Sequence, residues 1–228
     1  MQKLIEHFDE YQMVDNNRHN YIRYRLGRIK HYYWLKNRKN KDVKLLDEYD
    51  DFIIKNLNPG KTCVFGCAGY YLDEWIKDLT VVEQWPIVKT FYPEAHIIKD
   101  RKDLYHNFQC SFDNFIVTNS RSDHWVSLEG LTEHIKNYSQ TIKDNGLLFY
   151  SFRDTQIIGW NRLKTDQQKF FTNWAKNIYN ETGMYCVWED ICFVDRSNPF
   201  AMDENPDTTN GNIKFIFSKN KQSHSVRL

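Results

Sequence analysis

The chain has 228 residues, near-balanced charge (net +1) and 16% aromatic side chains, which allows one large core and excludes a disordered chain. The start, MQKLIEHFDEYQ, is charged throughout and no apolar run approaches the ~18 residues of a membrane span. A soluble, cytoplasmic protein without membrane attachment is therefore expected.

The first notable segment is 18–41, RHNYIRYRLGRIKHYYWLKNRKNK, with nine Lys or Arg and no acid, which leaves the remainder net negative. Tyr21, Tyr24, Tyr32, Tyr33 and Trp34 interleave with Arg23, Arg25, Arg28, Lys30 and Arg38. Base stacking combined with phosphate contacts uses that mixture, and so does an amphipathic helix docked by its aromatics. Over 42–57, Leu46, Tyr49, Ile53 and Leu57 recur at helical spacing, and Asn58-Pro59-Gly60 breaks the pattern. Residues 1–57 thus read as a helical extension and 58–228 as a separate domain.

After residue 60 the period changes. Short apolar runs at 62–66, 79–84, 96–100, 115–119, 147–152, 185–194 and 213–218 predict seven strands separated by helical stretches. Leu128, Leu131, Ile135, Tyr138 and Ile142 share one face of a helix over 127–144, with Asn145-Gly146 as its stop. A further helix carries Phe170, Phe171, Trp174 and Ile178. The alternation predicts an α/β fold, a mainly parallel sheet with helices on both faces. No helical stretch separates the last two strands, so a long hairpin should make the final strand antiparallel. The five cysteines (Cys63, Cys67, Cys110, Cys186, Cys192) are odd in number and lack a Cys-x-x-Cys pair. Buried free thiols are expected rather than disulfides or a metal site.

The glycine cluster Gly66-Cys67-Ala68-Gly69 follows the first strand, and Glu83 ends the second. A glycine turn entering a helix lets a ligand approach the backbone, and an acid at the next strand tip suits ribose hydroxyls. A tight corner and a surface carboxylate are the plain counterparts.

NPGKTCVFGCAG, Glu83, Asp100 closing HIIKD, CSFDNFIVTNSRSDHW and YSQTIKDNGLLFYSF occur in an order that resembles the class I S-adenosylmethionine-dependent methyltransferases, across about residues 58–218. The resemblance implies a Rossmann-like, seven-stranded three-layer sandwich with a reversed last strand, and S-adenosyl-L-methionine as cofactor. Gly66, Cys67, Ala68 and Gly69 would form its turn, Glu83 would meet the ribose, and Asp100 the adenine amino group. Where the family carries an acid two positions before the first glycine, this chain has Val64, and Ala68 replaces the second glycine. A nicotinamide-binding fold would need glycine at Ala68 and Tyr71 and usually lacks the reversed strand.

Methyl transfer from a sulfonium depends mainly on alignment, so no single catalytic residue is demanded. His124 lies where a substrate-side base could sit, and it reads equally as a loop histidine beside Trp125. Asn119 would orient cofactor or substrate, or simply turn the chain. Arg153 would line the acceptor pocket or pair on the surface, and Trp160 would stack on a flat acceptor or pack as a lid. Tyr24, in the basic extension, would face the acceptor whether that is a small molecule or a nucleic acid. A methyltransferase is the leading expectation, and a catalytically silent module of the same fold is the alternative, motivated by Val64.

Overall fold

The structure is a computed structural model and describes residues 48–66, 75–83, 94–118, 127–153, 167–194 and 210–221. In chain order the elements are α1 (Glu48–Asn56), β1 (Thr62–Phe65), β2 (Leu79–Val82), β3 (His96–Ile98) and α2 (Arg101–Asn107). They continue as β4 (Phe112–Thr118), α3 (Leu128–Thr141), β5 (Ile142–Arg153), α4 (Gln167–Asn177), α5 (Tyr179–Thr182), β6 (Tyr185–Val194) and β7 (Asn210–Ser218).

The seven strands form one sheet in the order β3-β2-β1-β4-β5-β7-β6. β1 to β5 pair in parallel, and β7 inserts antiparallel between β5 and β6, as the missing helix before it implied. Every residue of β1 and β2 is buried, as a central parallel strand covered on both faces requires.

Alternation along the strands sorts the core. Cys63, Phe65, Val82, Ile98, Phe115, Val117, Leu148, Tyr150, Phe152, Ile213, Phe215 and Phe217 share a cluster with residues of α2, α3 and α4. Tyr138 of α3 sits at its centre, fully buried, with its ring 5.0 Å from Phe115 and 5.3 Å from Phe65. Phe152 meets Phe171 at 5.6 Å and Trp174 at 5.9 Å, both edge-on, a favoured aromatic geometry. On the opposite face α1 buries Ile53 and stacks Phe52 on Trp188 of β6 at 4.4 Å.

Three sequence expectations need correction. The helix over 127–144 ends at Thr141, and Ile142 is already extended and paired with Phe112. The last carbonyls of α3, at Gln140 and Thr141, accept the amides of Cys110 and Ser111 at 2.9 and 2.8 Å, so no glycine cap is needed. Asn145 and Gly146 instead lie in an irregularity of β5, between its pairing at Ile142 and its resumed pairing at Leu147. Cys110, expected to be buried, is exposed in the turn before β4 with φ 47°. Asp100 does not close a strand: β3 stops at Ile98, and Asp100 caps α2.

Several motif residues converge at the amino ends of β1 and β4. Asn114, fully buried, accepts the Asn58 amide at 2.8 Å and donates to the Asn58 carbonyl at 2.8 Å and the Thr62 hydroxyl at 3.0 Å. Asp113 accepts the Lys61 amide at 2.9 Å and the Lys143 ammonium at 2.8 Å. Gly60 beside it has φ 128°, and a Cβ there would collide with the Asp113 carboxylate.

Candidate functional site

β1 and β4 are neighbours, yet the chain leaves β1 outward through β2 and β3 before returning at β4. Connections therefore diverge on either side of β1 and β4, and ligands of open α/β sheets bind at the carboxyl ends of the strands at such a point. Three residues singled out in the sequence stand at those ends. The Gly66 amide donates to the Val82 carbonyl at 2.9 Å, and the Glu83 amide donates to the Ile98 carbonyl at 2.9 Å. These bonds carry the ladder one residue beyond β1 and β2 and set Gly66 and Glu83 on adjacent strand tips. Gly66 has φ 71°, a conformation that favours glycine. Glu83 is half-buried.

Asp100 stands beyond the tip of β3. One of its oxygens, Oδ1, accepts the Lys102 amide at 2.9 Å, which caps α2 and fixes the carboxylate. The next residue, Arg101, places its guanidinium carbon 4.6 Å from the ring centroid of Phe65, the residue before Gly66. This contact joins the start of α2 to the end of β1. Sequence pattern does not reveal it, because the two partners are far apart in the chain and neither stands out.

Val64, the position of interest before the turn, is fully buried and pairs with Val81 and Ile116 in the sheet. It fills the face opposite Phe65. Cys63 is equally buried, and desolvation pushes its thiol well above 9.0, with the Lys61 charge pulling weakly the other way. It remains a protonated packing group.

A second group was missed by sequence reading. Ser151, Lys214 and Asp190 occupy one row across β5, β7 and β6, on the α1 face of the sheet. Lys214 donates to Asp190 at 2.9 Å, whereas the Ser151 hydroxyl is buried without a hydrogen-bond partner among the described residues. Thr118, the last residue of β4, pairs with Ser151 in the sheet. Only the strand register reveals this row, since its members come from three separate segments. Arg153 ends β5 opposite Asn212, and its side chain lies outside the described residues. Cys67, Ala68, Gly69, Asn119, His124, Trp160 and Tyr24, with the whole 18–41 segment, also lie outside them.

Among the described residues no group of three His, Cys, Asp or Glu is placed to hold a metal ion, and no helix is long and apolar enough to cross a membrane. No family model and no curated protein sequence matches the chain. Solved structures do match in fold. A geranyl diphosphate methyltransferase in complex with GPP and sinefungin aligns with a TM-score of 0.50 at 10% identity, over 75% of this chain and 77% of that one. A TehB-like SAM-dependent methyltransferase from Corynebacterium glutamicum aligns at 0.48 and 15% identity, over 84% and 96%. TYW2 of M. jannaschii in complex with AdoMet aligns at 0.45 and 13% identity, over 74% and 73%.

Proposed function

We propose that this chain, whose fold is that of the class I S-adenosylmethionine-dependent methyltransferases, binds S-adenosylmethionine at the carboxyl ends of β1, β2 and β3. It then transfers the methyl group to an acceptor held beside the ends of β4 and β5. The observation that carries this reading is the placement of Gly66, Glu83 and Asp100 on three adjoining strand ends beside the switch point.

The donor set suits the cofactor. Glu83 and Asp100 offer carboxylate acceptors to hydroxyl and amino donors, which adenosine supplies and a pyrophosphate does not. Two carboxylates also oppose a dinucleotide's negative charge and favour a cationic ligand. When bound, S-adenosylmethionine supplies an activated methyl whose leaving group is a neutral thioether. The chain's part is then alignment and exclusion of water. Gly66 lets the ligand approach the backbone, Glu83 receives the ribose hydroxyls, and the second oxygen of Asp100 receives the adenine amino group. We assign Cys67, Ala68, Gly69 and Asn119 to cofactor contact as well. On the acceptor side we assign Arg153, Trp160 and Tyr24, with His124 as the base where the acceptor must lose a proton.

We further assign residues 1–57 as a helical extension closing the cleft over a domain of 58–228, with a small molecule favoured as acceptor. A nucleic acid reaching the cleft along 18–41 is the competing acceptor. A salt-dependent mobility shift of labelled RNA, lost when Arg23, Arg25 and Arg28 are neutralised, would select it.

One observation favours a silent module instead. Val64 is an apolar, fully buried residue where the family carries an acid, so that carboxylate is missing for the methionine ammonium. Calorimetric titration with S-adenosylhomocysteine tests the cofactor reading, and absence of binding up to millimolar ligand would sink it. Turnover of the cofactor with any acceptor would eliminate the silent module.

A further inference from the structure

We infer that Arg101 is a cofactor-contacting residue that reads the adenine base, an assignment that rests on the cofactor reading above. Its backbone follows Asp100, and its guanidinium is propped 4.6 Å from the Phe65 ring, directly before the Gly66 turn. The side chain thus reaches from the start of α2, after the third strand, to the residue before the Gly66 turn on the first.

Three properties point to a ligand rather than to packing alone. Arg101 is half-buried, so the residue keeps part of its surface open to solvent. Among the described residues no carboxylate pairs with it, which leaves donors of a five-donor group available. A guanidinium is weakly hydrated and planar, and one face against an aromatic ring fixes its orientation at little solvation cost. Beside it, Asp100 has one oxygen committed to the Lys102 amide and keeps the other as an acceptor. An acceptor on Asp100 and a donor on the next residue in the chain suit the edge of adenine, which presents an amino donor next to a ring-nitrogen acceptor. Guanine presents a carbonyl oxygen where that amino group stands, and Asp100 would repel it.

The alternative chemistry for an arginine here is capture of the amino-acid carboxylate at the other end of the cofactor, and two ligands separate the cases. S-adenosylhomocysteine carries both ends, whereas 5′-methylthioadenosine carries the base and lacks the amino-acid tail. For the full chain, Arg101→Ala is expected to weaken both ligands at least fivefold and by the same factor in calorimetry. Arg101→Lys, which keeps the charge but loses the planar fork, should fall between. Phe65→Leu, which removes the prop, should weaken both ligands in the same direction. If Arg101→Ala lowers the thermal midpoint, the Arg101→Lys comparison carries the test, because its long stem preserves packing on Phe65. Unchanged affinity in Arg101→Ala or Arg101→Lys overturns the inference, and so does a loss confined to S-adenosylhomocysteine. Failure of the unmodified protein to bind either ligand overturns the cofactor reading itself, and this inference with it.

Discussion

The carboxylate of Asp113 accepts the backbone amide of Lys61 at 2.9 Å, which fastens the start of β4 to the residue before β1. The same carboxylate holds the Lys143 ammonium, whose side chain is 46% exposed. The two partners should differ in weight. Asp113→Ala leaves the Lys61 amide unpaired and should cost about 1–3 kcal/mol in urea unfolding. Lys143→Ala removes an exposed ion pair and should cost about 0.2–1 kcal/mol. The reverse order would show that the ion pair, not the amide, fastens the strands.

Gly60 offers a coupled test at the same place. Its φ of 128° disfavours a side chain, and an added methyl collides with the Asp113 carboxylate. Gly60→Ala should lose about 1–3 kcal/mol from backbone strain, with a further penalty from the collision. In the Asp113→Ala background the collision is gone, so the double variant should be more stable than the sum of the singles predicts. Additive losses would mean that the carboxylate swings clear.

Placing an acid two positions before Gly66 should fail. Val64 is fully buried between Val81 and Ile116, so Val64→Asp places a carboxyl in an apolar layer with no charged partner beside it in the sheet. A loss of several kcal/mol is expected in chemical unfolding. Tighter binding of S-adenosylhomocysteine at unchanged stability would show that the position opens toward the ligand.

Glu83 should matter for ligand. Its side chain is half-buried at a strand tip. Glu83→Gln should weaken S-adenosylhomocysteine about tenfold, the loss of one charge-assisted acceptor. An equal affinity in calorimetry would remove Glu83 from the site.

The cysteines predict a reactivity order and an alkaline limb. Among the described cysteines Cys110 is the exposed one and should alkylate first of the three. Burial pushes the Cys186 thiol up to about 12, with the Glu189 charge adding to it, so this thiol stays protonated and slow at neutral pH. The unfolded thiol ionises near 9.0, so the native state binds more protons between that pH and about 12. The contribution of Cys186 to stability is therefore complete below pH 9 and declines as pH rises through that window. Cys186→Ala should flatten part of the alkaline fall in the thermal midpoint, and an unchanged slope would assign that fall to other groups.

The strands and most of the helices were legible because burial writes itself as period. β6 was expected over 185–194 and spans those residues, and the reversal of β7 followed from the lack of a helix before it. The end of α3 was not legible. Asn145-Gly146 has the composition of a helix stop, but the α3 carbonyls are capped by amides from Cys110 and Ser111, a tertiary contact with no local signature. The candidate site was less legible. Gly66 and Glu83 stand on adjacent strand tips and Asp100 caps the helix after β3, whereas Arg101 on Phe65 and the row Ser151, Lys214 and Asp190 depend on tertiary placement. No local pattern encodes which residues lie side by side on neighbouring strands.

The amino-end network of Asn58, Lys61, Asp113, Asn114 and Lys143 has a consequence for how such chains diverge. The stretches that make the chain recognisable, NPGK and FD, lie at one end of β1 and β4, and the tips proposed to face the ligand lie at the other. Substitutions at the first end are filtered by whether the polypeptide folds, and those at the second by whether it holds its ligand. A lineage can therefore keep its ancestral signature while its chemistry is retuned or lost, and kinship read from that signature dates the scaffold rather than the activity.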